Sequence, residues 1–193
     1  MVAACSLGAS SVQAALNVVQ DPGFEGGETG VLTPSSTPWY KYNASGNGVV
    51  TIDSSNPHTG NFNAALTIQS AESAILFQHL TLTSGAKYAI SFWIAAPGAA
   101  GSLSVNFDGS LLGSVSVAAG SVYTEYNFTA TAVNSGGVIS FTWSSSTHPA
   151  TLDIDDVSAS TTAVPEPSTM VAGALMLLPF AAGALRLRRK VSP

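Results

Sequence analysis

Three aromatic side chains within four residues, Trp39, Tyr40 and Tyr42, are the residues of this chain best suited to bind a ligand. They follow a polar segment rich in Gly, Thr, Ser and Pro, and they do not belong to a long apolar strand. Aromatic rings stack on the apolar C–H face of a sugar, and ligand pockets are commonly lined by such rings. The sequence therefore predicts a carbohydrate-binding surface here, although packing of Trp39 across a loop is an equally good interpretation. Tyr126 and Trp143 are second candidates, and a place in the core is favoured for Trp143.

Catalytic chemistry has little support in the residue pattern. A glycosidase needs two facing carboxylates about 5–10 Å apart, one of them with a raised pKa. Glu25 and Glu28 are close in sequence but belong to a loop without a supporting motif. His58, His79 and His148 lack metal-ligand spacing, and there is no G-x-S-x-G motif. The sequence therefore predicts a protein that is not an enzyme, with a glycoside hydrolase as the least favoured alternative.

Strands must position the aromatic residues, because apolar residues in the body of the chain alternate with a period of two. The strongest segment, residues 86–96, places Tyr88, Ile90, Phe92 and Ile94 on one face. Trp93 lies on the other face of the same strand, and core packing is expected for it. Turn signals every eight to twelve residues and the lack of an amphipathic helix predict an all-β sandwich or barrel of antiparallel strands. The predicted strands are 16–20, 49–52, 64–69, 74–83, 86–96, 102–107, 111–117, 123–132, 138–143 and 152–157.

Charge is scarce and mostly negative. Charged residues make up 9% of the chain, against about 25% in an average protein. Residues 16–160 contain ten acidic residues and two lysines, a balance of eight negative charges. Such a body repels phosphate backbones, which argues against nucleic-acid binding. Its length of about 145 residues suits one domain with a single core.

The first fifteen residues have the character of the end of a signal peptide. Val12-Gln13-Ala14 fits the small-residue rule for cleavage, with the cut after Ala14 or Ala15. No Lys or Arg precedes Lys41, so the charged region that normally opens such a peptide is missing, and a start codon placed too late would explain this. The single cysteine, Cys5, belongs to this segment, so the mature body would have no disulfide. Residues 2–5 also fit a lipoprotein cleavage box, which remains an alternative. Residues 1–15 are interpreted as a signal-peptide remnant, which predicts export.

The last thirty residues combine a proline motif, an apolar span and a basic cluster. Residues 168–185 contain no charge, and as a helix they would extend about 27 Å, close to the thickness of a bilayer core of about 30 Å. The cations that follow would stay in the cytoplasm by the positive-inside rule. We therefore predict one hydrophobic membrane helix within residues 165–190, after a linker at 159–164. The proline motif is Pro165, Glu166 and Pro167, and the basic stop is Arg186, Arg188, Arg189 and Lys190.

This tail resembles the PEP-CTERM sorting signal of Gram-negative bacteria, with all three features in register. The resemblance implies an exosortase as partner, a membrane-embedded peptidase that processes such tails near the Pro-Glu-Pro motif. It also implies anchoring in the inner membrane before processing, then a place at the cell surface or in an extracellular matrix with exopolysaccharide or biofilm. An ordinary single-span anchor that is never cut is the alternative.

Four stretches of the body resemble jelly-roll carbohydrate-binding modules of galactose-binding-like fold: residues 17–25, 58–66, 82–93 and 152–157. The resemblance implies a jelly-roll β-sandwich of about eight to ten strands over residues 16–158. It also implies a structural Ca²⁺ bound by Glu25 and Asp155, with backbone carbonyls of the loop around residues 58–61, a ligand set that suits calcium. We therefore expect an exported, non-enzymatic protein that binds exopolysaccharide. A structural matrix protein without a defined sugar site is the alternative.

Overall fold

The computed structural model describes residues 15–26, 29–42, 48–70 and 72–162, and secondary structure within these ranges consists of β-strands alone. In this part of the chain no helix is long and apolar enough to cross a membrane. The predicted signal-peptide remnant, apart from Ala15, and the whole predicted sorting tail lie outside the described residues. The strands are β1 Gly30–Val31, β2 Tyr40–Lys41, β3 Val49–Asp53, β4 Asn63–Ile68, β5 Ser73–Thr81, β6 Lys87–Ala95, β7 Gly101–Phe107, β8 Ser110–Val117, β9 Thr124–Thr131, β10 Gly136–Ser144 and β11 Ala150–Thr161.

The strands form two antiparallel sheets that pack face to face. The six-stranded sheet has the order β1-β3-β4-β11-β6-β9, and the five-stranded sheet has the order β2-β5-β10-β7-β8. This arrangement confirms the predicted antiparallel β-sandwich of jelly-roll type. The two strands that sequence reasoning missed, β1 and β2, have only two residues each.

The strand predicted at residues 16–20 is wrong. The segment makes one isolated bridge, between Asn17 and Ser160, and is otherwise held between the two sheets. The N–H of Gln20 donates to Gln78 Oε1, and Gln78 Nε2 donates back to the Gln20 carbonyl, both at 2.8 Å. Gln78 is 1% exposed, so a buried side chain satisfies backbone groups that a ladder would otherwise pair.

The core lies between the sheets, and β6 shows how the sequence pattern produces it. Tyr88, Ile90, Phe92 and Ile94 are each at most 1% exposed, as their alternation predicted. Trp93 points to the opposite face, because successive strand residues alternate, and it is only partly buried. The expectation that Trp93 belongs to the core is therefore wrong.

The closing strand, β11, extends beyond the predicted end of the domain. It pairs with β6 through Thr161, and Ala159 is fully buried. Residues 159–161, predicted as part of the linker, therefore belong to the sandwich, and the compact unit covers residues 15–162.

Candidate functional site

Trp39 does not offer a binding face, which corrects the first of the predicted ligand residues. Its side chain is 2% exposed, and its Nε1–H donates to the carbonyl of Asp21 at 2.9 Å. Its ring centroid lies 5.2 Å from that of Phe24 and 6.4 Å from that of Phe141. A buried indole cannot stack on a sugar, so Trp39 is a core residue.

Tyr40 and Tyr42 lie on the outer face of the five-stranded sheet, where they join two aromatic residues of β5. Tyr40 is directly opposite Phe77, and the two rings stack with centroids 5.3 Å apart and an interplanar angle of 20°. The imidazole of His79 meets both rings edge-on, with its centroid 5.6 Å from that of Tyr40 and 5.7 Å from that of Phe77. Tyr42, which is 53% exposed, has its ring 6.4 Å from that of Phe77. We call Tyr40, Tyr42, Phe77 and His79 the aromatic patch.

Hydroxyl and amide groups occupy much of the same face beside the aromatic patch. Ser140 of β10 is opposite Phe77, and Asn106 of β7 is opposite Ser140. In the neighbouring row, the hydroxyls of Ser104 and Ser114 lie 3.0 Å apart. An open depression of about 710 Å³ lies where β7, β8 and β10 reach one end of this face. Its lining includes Ser102, Ser116, Ser144 and Ser145.

Sequence reasoning predicted a strand at residues 74–83 but selected neither Phe77 nor His79 as a site residue. The available signal was the alternation of β5, in which Leu76, Gln78 and Leu80 are buried. That pattern indicates an outward face for Phe77 and His79, but the neighbour across the sheet was not readable from sequence.

The second-choice aromatics have other roles. Trp143 is fully buried, in line with the interpretation that was favoured for it. Tyr126, on the edge strand β9, is partly buried and its ring stacks against Phe92 at 6.1 Å. Neither residue contributes to the aromatic patch.

A β-bulge in β11 turns two consecutive carboxylates toward one loop. Asp155 is opposite Trp93 and Ser158 is opposite Ser91, so β11 contains one extra residue between these pairs. Asp156 takes a φ of 50° there, a left-handed conformation that Asp tolerates better than most residues. In a regular strand Asp155 and Asp156 would point to opposite faces, and the bulge allows both to reach the same segment.

That segment is the mid-chain loop, residues 54–62 between β3 and β4, and the two carboxylates hold it in place. Asp155 Oδ2 accepts the backbone N–H groups of His58 at 2.8 Å and of Thr59 at 3.1 Å. Asp156 contacts His58 Nδ1 at 2.7 Å and accepts the Thr59 hydroxyl at 2.7 Å. The imidazole stacks on Trp93 with centroids 4.0 Å apart. Trp93 and His58 therefore anchor the loop, a pairing that sequence reasoning did not foresee.

Glu25 holds the other end of the mid-chain loop. Its Oε1 accepts the N–H groups of Asn61 at 2.6 Å and Phe62 at 2.8 Å, and its Oε2 accepts Asn61 Nδ2 at 3.1 Å. Hydrogen bonds from the backbone N–H groups of Asn61 and Phe62 lower the pKa of Glu25. Such bonds to an ionised carboxylate favour its charged form. A catalytic acid of a glycosidase needs the opposite shift.

Glu25 and Asp155 thus hold the same loop, the one from which the resemblance implies further calcium ligands. The loop presents backbone N–H groups to both carboxylates, whereas calcium requires oxygen ligands. Within the described ranges, no group of three or more His, Cys, Asp or Glu residues is placed to hold a metal. Calcium binding at Glu25 and Asp155 stays a prediction.

Two buried acids of β11, Asp153 and Asp155, contact the mid-chain loop. Asp153 is 2% exposed, its Oδ2 accepts Asn56 Nδ2 at 2.7 Å, and burial raises its pKa to about 6. Asp155 is fully buried, and burial likewise raises its pKa. Tyr123 donates its hydroxyl to the Asn56 carbonyl at 2.6 Å. Removal from water disfavours the charged form of both acids.

Comparison with solved structures supports the fold. No family model and no curated protein matches the chain. TmCBM61, solved in complex with β-1,4-galactotriose, has a TM-score of 0.55 and 20% identity over 76% of this chain and 99% of its own. A CBM4 structure has a TM-score of 0.52 and 20% identity, over 74% of this chain and 99% of its own. The CBM22-1 xylan-binding domain of Paenibacillus barcinonensis Xyn10C has a TM-score of 0.50 and 12% identity, over 67% of this chain and 89% of its own. At these identities the likeness establishes a shared jelly-roll, galactose-binding-like fold.

Proposed function

We propose that the β-sandwich binds a glycan, without cleaving it, on the outer face of its five-stranded sheet. The observation that carries this proposal is the aromatic patch, four rings gathered beside hydroxyl groups on one sheet face. Rings supply stacking surface for sugar C–H groups, and serine, threonine and asparagine supply donors and acceptors for sugar hydroxyls. The structural neighbours named as carbohydrate-binding modules support the same proposal.

Within this patch, Tyr40 and Tyr42 are proposed as the ligand contacts, and Phe77 as the ring that orients them. Tyr40 already stacks on Phe77, so its ring is held in place before a ligand arrives. A preorganised side chain loses less conformational entropy on binding. Tyr42 is 53% exposed, so its ring offers a surface on which a sugar could rest.

The test compares Tyr40→Ala with Tyr126→Ala, a tyrosine of similar partial burial on the opposite sheet. Binding to β-1,4-galactan and xylan is measured by isothermal titration calorimetry. We expect Tyr40→Ala to weaken binding about 5- to 30-fold, the effect of a loss of 1–2 kcal/mol. Tyr126→Ala should leave affinity within about twofold, since its ring packs on the core.

Two results would contradict the glycan-binding proposal. One is no binding of the unmodified chain to any polysaccharide in a broad panel, which would favour a structural matrix protein without a sugar site. The other is equal loss of affinity in both variants. Release of reducing sugar from such a panel would support the hydrolase instead.

The tail is proposed to direct the protein to an exosortase. The proline motif at residues 165–167, the apolar span and the basic stop support processing at the inner membrane, followed by display at the cell surface or in an exopolysaccharide matrix. Mass spectrometry of the protein from its native host tests this. A mature C-terminus near Pro165 is expected, and an intact basic stop in the surface fraction would favour the uncut anchor.

A further inference from the structure

We infer that the glycan bound at the aromatic patch is uncharged, an inference that rests on the proposed function and names its ligand class. Its basis is the distribution of charge between the two sheets. On the five strands of the smaller sheet, the outward-facing positions contain no Asp, Glu, Lys or Arg. The strands of the larger sheet contain most of the acids of the described chain: Asp53, Glu125, Asp153, Asp155 and Asp156.

The charges nearest the smaller sheet are few and lie at its margins. Lys41 occupies the edge strand β2 and alternates with Tyr40, so it does not share the outward position. Glu72 immediately precedes β5. Asp108 lies in the β7–β8 turn, where its carboxylate accepts the N–H groups of Val133 and Asn134 at 2.6 and 3.0 Å. None of the three faces the centre of the sheet.

An acidic polysaccharide does not fit this face. A sugar carboxylate that leaves water requires a cationic partner, usually Arg or Lys, and removing it from water without one is costly. The outward-facing strand positions provide no Arg or Lys, and the imidazole of His79 packs edge-on against Tyr40 and Phe77. The net negative charge of the body would also repel a polyanion at long range.

A cationic amino sugar fits no better at close range. The acidic body would attract it, but the carboxylates that could bind an ammonium group belong to the other sheet, already accept backbone hydrogen bonds or, like Glu72, lie at the margin of the sheet. Neutral hydroxyl groups, by contrast, find matching partners in the rows formed by Ser140, Asn106, Ser104 and Ser114. From β2 to β8 the sheet spans about 19 Å, taking strands about 4.8 Å apart, which suits an extended chain of sugars.

The experiment measures binding of the full chain to four polymers by affinity electrophoresis and calorimetry at pH 6: β-1,4-galactan, xylan, polygalacturonate and chitosan. We expect an uncharged polymer to bind at least about tenfold more tightly than either charged one. Its affinity should change by less than about twofold between 20 and 500 mM salt, because salt screens charge interactions and leaves stacking intact.

A charge-insertion pair gives a second readout. Ser140→Lys places a cation in the centre of the proposed face, and Ser91→Lys places one in the corresponding part of the opposite sheet as a control. Ser140→Lys should gain salt-sensitive binding to polygalacturonate, and Ser91→Lys should not.

Failure of this inference is distinguishable from failure of the proposed function. If polygalacturonate or chitosan binds most tightly, loses affinity in high salt and depends on Tyr40, the site stands and the uncharged ligand is wrong. If no polymer binds, or if binding ignores Tyr40→Ala, both are overturned.

Discussion

Replacing Asp153 by asparagine should stabilise the sandwich near neutral pH, because Asp153 must ionise there inside the protein. Its side chain is 2% exposed, and burial raises its pKa from 3.8 to about 6. Between these two pKa values, the folded protein holds the carboxyl proton of Asp153 more tightly than the unfolded chain does. The stability gained from neutral Asp153 is therefore complete below pH 4 and is lost as the pH rises through 6.

The size of the effect follows from the pKa difference. A shift of about two pKa units corresponds to about 3 kcal/mol, or roughly 6–12 °C in melting temperature for a domain of this size. Asparagine has nearly the same shape, and its carbonyl can still accept the hydrogen bond from Asn56. The difference in melting temperature between Asp153→Asn and the unmodified chain should therefore be small at pH 4 and should grow in favour of the variant up to pH 7.

Thermal unfolding by circular dichroism from pH 3 to pH 8, with a chelator present, measures this difference. Asp108→Asn is a control of opposite sign. The N–H and side-chain amide of Asn134, with the N–H of Val133, lower the pKa of Asp108. Its contribution to stability is present at neutral pH and is lost on acidification. A difference between Asp153→Asn and the unmodified chain that stays flat from pH 4 to pH 7 would refute the reasoning.

Two further predictions concern the mid-chain loop. Gly60 has a φ of 65° and a Cβ there would overlap the Glu25 carboxyl group, whereas Gly85 has a φ of 79° and open space around it. Both Gly→Ala variants should lower the free energy of unfolding in urea by about 1–2 kcal/mol, because alanine is strained in a left-handed conformation. Gly60→Ala should lower it further, because its Cβ also meets Glu25. Equal losses in the two variants would mean that the Glu25 contact contributes nothing. If calcium binds at Glu25 and Asp155, 1 mM CaCl₂ should raise the melting temperature above that in chelator, by an amount that Glu25→Gln reduces. Identical melting curves in calcium and chelator would remove the calcium site.

Local patterns were sufficient for most strands and insufficient for sites. Nine of the predicted strands are present because alternation of apolar residues, as in β6, is a property of a few consecutive positions. The strand predicted at residues 16–20 failed because a distant side chain, Gln78, binds its backbone. Trp39 and Trp93 were assigned to the wrong environments, since the exposure of an aromatic residue depends on what packs over it.

The sequence by itself determined the antiparallel β-sandwich and which side chains of β5 share a face, because successive residues of a strand alternate between its two faces. Only the tertiary structure brought Tyr40 and Tyr42 against Phe77 and His79, residues more than thirty positions away. It also decided that Asp155 and Asp156 hold one loop, through a bulge that local alternation contradicts. The physical reason is that register and bulges arise from pairing between distant strands, and no short stretch of sequence records its partner.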